Sequence, residues 1–561
     1  MRLVSRIAFA LFLAAPLSLP ASLPACAAEP DAPAALIGRP EAVRIAIQER
    51  LSAKFTSASE ARKSEQGALV EYYSLPDNRL LWVDENGLND RAKSVMEEIG
   101  KADEYGLRPS DYELPKTSGF NAGDNNAANW LADAEIKISF AVLGYTRDAR
   151  GGRIDPSRLT ENLDPSLALP NPMEVIDSIA IRSEPAAYLR SFQPDQPQFE
   201  ALRQALKAAR GGSADTNVVR IPDGPTLKLG VDNEQVALLR TRLEMPSTAE
   251  DGAPIQETLF DASVAEAVKR FQQAHGVTPD GTVGPGTRRL LNQQHQQAAS
   301  PAKTRLILLN MERWRWLPND LGSYYVNVNV PEFMLRVVDE GQIVHTTRVV
   351  VGKTDKQTPI FSNEMQEVVF NPFWNVPNSI KTEEIRPYLT EEGGWFGGGG
   401  WNTAVLERHN LRINVGGREV DPSRLDWNRI DIRSLNIYQP PGPDNVLGNV
   451  KFVFPNKHDV YMHDTPQKGL FARTIRAESH GCMRVQNPDQ LAATLLKHDQ
   501  GWTAGRVASA IQTGYDTHVV LNQKIPVYIT YFTLRVNDDG SISTFGDLYG
   551  HDARMAAALR L

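Results

Sequence analysis

Cysteine is almost missing from this chain. Two occur in 561 residues, Cys26 and Cys482, which excludes a disulfide-stapled scaffold. Long hydrophobic runs are scarce as well. Beyond the first 28 residues no segment stays apolar for the 18 or so residues that a membrane span needs, so no transmembrane segment is expected in the mature chain. Excess positive charge is lacking too. Lys and Arg number 60 against 68 Asp and Glu, for a formal net charge of −8. Nucleic acid is therefore not expected as a partner, because phosphate binding needs a basic face. Glycine (40) and proline (37) are near average, which excludes collagen-like and wholly disordered classes. What remains is an ordinary globular balance, 41% hydrophobic and 23% charged, and a length that predicts about three to four domains.

Residues 1–27 read as a signal peptide. Arg2 and Arg6 precede the apolar run Ile7 to Leu19, and Ala25-Cys26-Ala27 supplies a small-residue cleavage pattern. Cleavage would leave Cys482 as the one thiol of an exported, acidic protein. Such a leftover cysteine points to intermolecular pairing or to a reactive thiol.

The rest of the chain divides by pattern. Residues 28–40 are rich in Ala and Pro, and Val43, Ile45, Ile47 and Leu51 predict an amphipathic helix from Pro40 to about Phe55. Residues 71–210 read as mostly helical, punctuated by Gly100, Gly106 and Pro109. No paired catalytic groups occur there, so residues 28–225 are assigned a scaffold role. Residues 226–296 form a compact unit of three short helices. Val236, Leu238, Leu239 and Leu243 mark the first, Val264, Val268 and Phe271 the second, and Leu290 and Leu291 the third. Val268 and Phe271 share one helix face and are expected in its core; Asp280-Gly281 is expected to be turn chemistry. The stretch from Gln294 to Thr304 reads as a linker. Residues 303–550 are β-rich, with alternating runs at Tyr324 to Val330, Phe333 to Val338, Ile343 to Val351, Glu367 to Phe370, Lys451 to Phe454, Val460 to His463 and Val527 to Leu534. Residues 378–440 interrupt them, with a glycine run from Gly393 to Gly400 broken by Trp395-Phe396 that suggests a lid. The fold class is α+β and multidomain.

The informative residues are Tyr461-Met462-His463-Asp464-Thr465-Pro466 and Ser479-His480-Gly481-Cys482-Met483-Arg484. A thiol attacks well only as thiolate, and an imidazole can take its proton. His463 ends a predicted strand. His480 would share a face with Cys482 if the segment is extended. Gly481 permits close backbone approach, so amides beside Cys482 can form an oxyanion hole. A buried, inert cysteine is the bland alternative. A zinc reading would take His463, His480 and Cys482 as ligands; without a second cysteine, no metal is expected.

The run SerHisGlyCysMetArg, with His463 upstream, resembles the catalytic signature of the YkuD-type L,D-transpeptidases. GlnProProGlyProAspAsn (439–445), LysPheValPheProAsn (451–456) and HisAspThrPro (463–466) look like the large periplasmic branch of that family. Residues 226–296 resemble a peptidoglycan-binding type 1 module, through PheAsp (260–261), AlaValLysArgPheGln (267–272), HisGly (275–276), AspGly (280–281) and ValGly (283–284). LeuArgProSerAspTyr (107–112) looks like the branch's scaffold domain.

The resemblance implies Cys482 as nucleophile, His463 as general base and the backbone carbonyl of Asp464 as the third element. It places His480 beside the nucleophile and the oxyanion amides at Gly481 and Cys482. Ser479, Arg484, Tyr461 and Trp374 would line the substrate cleft, and residues 378–440 would cap it. The implied reaction takes a donor tetrapeptide stem of peptidoglycan, forms a cysteine thioester, releases D-Ala and delivers the acyl group to a second stem as a 3→3 cross-link. No cofactor is implied, a periplasmic location is, and carbapenem-type β-lactams would act as inhibitors. Alternatives are the same chemistry on another acceptor (a lipoprotein lysine or a D-amino acid), a hydrolytic variant, or a non-catalytic wall-binding protein.

Overall fold

The structure is a computed structural model that describes residues 39–52, 59–118, 120–211, 219–243, 245–246, 255–274, 277–298, 301–391 and 400–561. The signal-peptide reading, Cys26, His275-Gly276 and most of the glycine run after Gly393 lie outside the described residues.

The N-terminal part is helical because its apolar residues recur at helical spacing around one long rod. That rod, Ala127–Gly151, buries Leu131, Ile138, Val142 and Tyr145. Helices Arg39–Ser52, Glu60–Ser74, Asp90–Gly100 and Pro172–Ile181 surround it and share its core. Glu135 on the rod is fully buried, and its carboxylate accepts from the Leu81 and Trp82 amides (2.5 and 2.8 Å) and the Tyr73 hydroxyl (2.7 Å). Burial pushes its pKa up to about 7.

The small unit holds three helices, Glu234–Arg242, Ala262–Ala274 and Pro285–Ala298, around Val236, Leu239, Val264, Val268 and Leu291. Phe271 packs against this core. Asp280 caps its turn, accepting from the Thr282 amide (2.9 Å) and Gln272 Nε2 (2.8 Å).

Among its described residues, the linker expected at 294–304 is helical. The third helix runs on to Ala298, and a new helix, Pro301–Trp314, starts three residues later. Pro301 suits a first helical position. Ile307 and Met311 then pack against Phe199, Leu202 and Leu206 of helix Pro197–Gly211 and against Leu534 and Val536. This helix and its neighbours join the N-terminal part to the β-rich part. Glu312 accepts the Arg153 and Ile154 amides (2.6 and 3.2 Å), and Asp164 accepts from Lys457 (2.8 Å) and pairs with His458 (2.9 Å).

Among the described residues the large sheet has nine strands. They are β1 (Tyr324–Asn329), β2 (Met334–Asp339), β3 (Gln342–Gly352), β4 (Ser362–Phe370), β5 (Val450–Val453), β6 (Met462–His463), β7 (Ala477–Ser479), β8 (Met483–Val485) and β9 (Thr517–Thr530). Their spatial order is β7-β3-β8-β6-β5-β4-β9-β1-β2. β3 also pairs with β2 through its first part and with β8 through Val349 and Val350, so the sheet curls back on itself. Inward residues such as Val328, Val351, Phe452, Met462 and Met483 form the core, joined by Leu491 and Leu495 of helix Pro488–Gln500. This part does not stop near residue 550: helix His551–Leu559 adds Met555, Ala556 and Leu559 to the same core.

The insertion has a core of its own around Ile385, Leu406, Ile413, Trp427 and Ile437. Among the described residues its four strands follow the order Trp374–Asn375, Asn436–Gln439, Arg412–Val415 and Arg418–Val420.

Candidate active site

Strand register assembles the site. β6 and β8 run parallel, with Met462 opposite Met483 and His463 opposite Arg484. Both methionines are fully buried in the core. Side chains alternate along a strand, so Tyr461 and His463, with Cys482 and Arg484, project from the outer face. Cys482 precedes β8 by one residue, and the Met483 amide donates to the Tyr461 carbonyl (3.1 Å), which holds the two segments in step. Cys482 and His463 are thus diagonal neighbours on one face. Both side chains have the cations of Lys451 and Arg484 as neighbours.

His463 is buried, and its Nδ1 donates to the backbone carbonyl of Asp464 at 2.5 Å. That contact leaves the lone pair on Nε2. Burial, with the cations of Arg484 and Lys451 nearby, lowers its pKa to about 3. The Asp464 carboxylate faces away from the imidazole. It accepts from the Thr465 amide (2.6 Å), the Asn449 amide (3.0 Å) and Lys468.

Cys482 is half-buried. Burial raises its pKa, while the Tyr461 amide and hydroxyl and the cations of Lys451 and Arg484 pull it down. Tyr461 also hydrogen-bonds to Trp374, so one ring links the sulfur to the first strand of the insertion's sheet. The Lys451 ammonium sits 4.1 Å from the centre of the Tyr461 ring. Arg484 donates Nη1 to Gln467 Oε1 (2.6 Å), and its Nε is buried without a partner among the described residues.

Three sequence expectations change. The segment 480–482 is bent, with Gly481 at φ +111°, so His480 is not set beside Cys482 by an extended backbone. Its Nε2 instead pairs with Glu384 of the insertion at 2.6 Å. The Gly481 amide is not free for an oxyanion, because it donates to Ser479 Oγ (3.2 Å). Ser479 is buried and donates in turn to the Cys482 carbonyl (2.5 Å). Ser479 therefore braces the turn and does not line a cleft. Among the described residues no group of three or more His, Cys, Asp or Glu is disposed to hold a metal ion.

Sequence reasoning did not single out Lys451, Gln467 or Glu384. For Lys451 a signal existed: it is the polar residue in the alternating run Val450-Lys451-Phe452, so it points to the outer face.

Three family descriptions match this chain. "L,D-transpeptidase catalytic domain" (YkuD) matches residues 323–520, "Scaffold domain" matches 67–206, and a peptidoglycan binding domain, provisional in its own description, matches 233–291. A protein of Haemophilus influenzae, provisionally named an L,D-transpeptidase, is 32% identical over 256 residues. The match covers 46% of this chain and spans half of that relative's length (50%). Among solved structures, an L,D-transpeptidase (residues 123–326) from Xylanimonas cellulosilytica is 14% identical, covering 55% of this chain and 99% of that one, with a TM-score of 0.16. An L,D-transpeptidase from Stackebrandtia nassauensis is 13% identical, covering 54% and 94%, with a TM-score of 0.15. These scores are too low to establish a shared fold. Residues 323–520 thus belong to the YkuD family of L,D-transpeptidase catalytic domains, in a chain that also carries a scaffold domain and a peptidoglycan-binding domain.

Proposed function

We propose that this chain cross-links peptidoglycan by acyl transfer through Cys482. The donor is a tetrapeptide stem. Cys482 gives its proton to His463 Nε2, and the sulfur attacks the carbonyl carbon of the donor's diaminopimelate residue. The tetrahedral intermediate collapses, the peptide C–N bond breaks, and His463 returns the proton to the departing D-Ala amine. A side-chain amine of a second stem then attacks the thioester. Its proton passes through His463 to the sulfur, and a 3→3 link results. The cleaved peptide bond supplies the acyl group, so no nucleotide is required. The reading implies an extracytoplasmic site of action, in the periplasm, and inhibition by carbapenems.

One observation carries the reading: the parallel register of β6 and β8 sets His463 and Cys482 on a shared outer face, with His463 Nδ1 tied to the Asp464 carbonyl. Tyr461 and Trp374 beside the sulfur, and Arg484 with its unpartnered Nε, suit a peptide bearing a carboxylate. The test is intact-mass detection of a carbapenem adduct on wild type and its loss in Cys482→Ser, followed by mass spectrometry of muropeptides formed from defined stems. A folded wild type with no adduct overturns the catalytic reading. Products that are only hydrolysed or lipoprotein-linked overturn the 3→3 assignment.

A further inference from the structure

With the Gly481 amide donated to Ser479, the Cys482 amide is left of the two that the resemblance gives the oxyanion hole. The Cys482 amide is the candidate, since it donates to no acceptor among the described residues. What aims it is visible one atom away. Gly481 C=O and Cys482 N–H belong to the same peptide plane, and in a trans peptide they point in opposite directions. The Gly481 carbonyl accepts from Thr358 Oγ1 at 2.7 Å. Thr358 is fully buried. The Cys482 N–H must then point away from Thr358.

Thr358 is itself fixed from two sides. Its Oγ1 accepts the Gly352 amide (2.9 Å), which leaves the hydroxyl proton for Gly481. Its own amide donates to Tyr549 Oη (3.2 Å), and Tyr549 donates onward to the Gly352 carbonyl (2.7 Å). A Cβ at Gly352 would run into the Lys356 carbonyl and the Thr358 amide, so this close turn requires glycine there. Tyr549 is buried and anchored through its amide to Tyr531 Oη (2.7 Å). It lies beyond residue 520, outside the matched catalytic domain.

We infer that Thr358, held by Tyr549, is a positioning residue that aims the Cys482 amide at the oxyanion formed during acylation. The inference rests on the acyl-transfer reading above. In the step concerned, the sulfur–carbon bond forms, the carbonyl π pair moves to oxygen, and the Cys482 N–H donates to that oxygen. Collapse then breaks the C–N bond, and its nitrogen takes the proton held on His463.

Alkylation separates this role from a general structural one. Attack of the sulfur on iodoacetamide displaces iodide at a saturated carbon and forms no oxyanion. Acylation by a carbapenem does form one. In the full chain, Thr358→Val is expected to slow carbapenem acylation of Cys482 about 100-fold, the low end for losing one oxyanion donor. Its iodoacetamide rate should stay within about twofold of wild type. Thr358→Ser keeps the hydroxyl and should restore most of the acylation rate, and Tyr549→Phe should give an intermediate loss. Equal falls in acylation and alkylation, or no fall in either, overturn the inference, as does Thr358→Ser behaving like Thr358→Val. A wild type that is alkylated at Cys482 but never acylated overturns the acyl-transfer reading, and this inference falls with it.

Discussion

Lys451 stands directly opposite His463 in the antiparallel register of β5 and β6. A cation facing a buried imidazole makes an imidazolium costly. It also favours a nearby thiolate. Burial works against that thiolate: the thiol pKa lies above its ordinary value and the imidazole pKa is lowered to about 3, which predicts a neutral pair at rest.

The pH dependence of alkylation follows. Iodoacetamide should react with Cys482 at a rate that climbs through pH 9, with no plateau near pH 6–7. Lys451→Met removes a positive charge that favours the thiolate. The thiol pKa then rises further, the thiolate fraction at pH 7.5 falls, and the rate there should drop about three- to tenfold. A rate independent of pH between 6 and 8 would refute the neutral resting pair.

Ser479 gives a second measurement. One hydroxyl accepts the Gly481 amide and donates to the Cys482 carbonyl. Ser479→Ala leaves both backbone groups without that partner in a buried turn, at a cost of about 1–3 kcal/mol each when unreplaced. We expect a fall of a few degrees in the melting temperature of the catalytic part and a loss of about 10- to 100-fold in carbapenem acylation. An acylation rate equal to that of wild type would show that the turn holds its shape without the brace.

His480 and Glu384 form a tie between the nucleophile's loop and the insertion, beside a second tie from Lys356 to Glu383 (2.7 Å). Both pairs are substantially exposed, and exposed pairs contribute about 0–1 kcal/mol. His480→Gln should therefore leave the alkylation rate within about twofold, and a double-mutant cycle with Glu384→Gln should give a coupling below about 1 kcal/mol. His463→Gln should instead cost about 10²- to 10⁴-fold in acylation, as removal of a general base does. A comparable loss in His480→Gln would return that residue to the chemistry.

The contrast between these two histidines shows what a sequence carries. The pairing of β6 with β8 could be anticipated, because alternation marks Met462 and Met483 as inward and hence His463 and Cys482 as outward. The bend at Gly481 could not. A motif of six residues does not state a backbone angle, so the amide expected to hold an oxyanion is spent on Ser479. Nor does it state that a glutamate 96 positions earlier in the chain will fold over His480. Helix Pro301–Trp314 was hidden for a related reason. Its apolar residues are interleaved with Lys303, Arg305, Glu312 and Arg313, and some of those polar groups are buried by partners from other elements: Glu312 by the Arg153 amide and Arg313 by Asp552 (2.6 Å). Tertiary partners override local pattern there.

Acid stability supplies the last prediction. His551 is fully buried, its ring tilted against that of Tyr531 (4.6 Å between ring centres), with burial and the cations of Arg313 and Arg554 lowering its pKa to about 4. In the unfolded chain it would titrate near 6.5. Between those values the unfolded state binds the extra proton, so stability rises with pH and is lost as pH falls from about 6.5 towards 4. His463 adds a second loss of the same sign that continues to about pH 3. For His551 the full effect is on the order of 3 kcal/mol. His551→Leu does not titrate. Its melting temperature should be lower than that of wild type at pH 7, where a packing defect is felt alone, and the gap should narrow or reverse by pH 4.5. If the two acid limbs run parallel from pH 7 to 4.5, His551 does not titrate as its burial requires, and the loss must come from other groups.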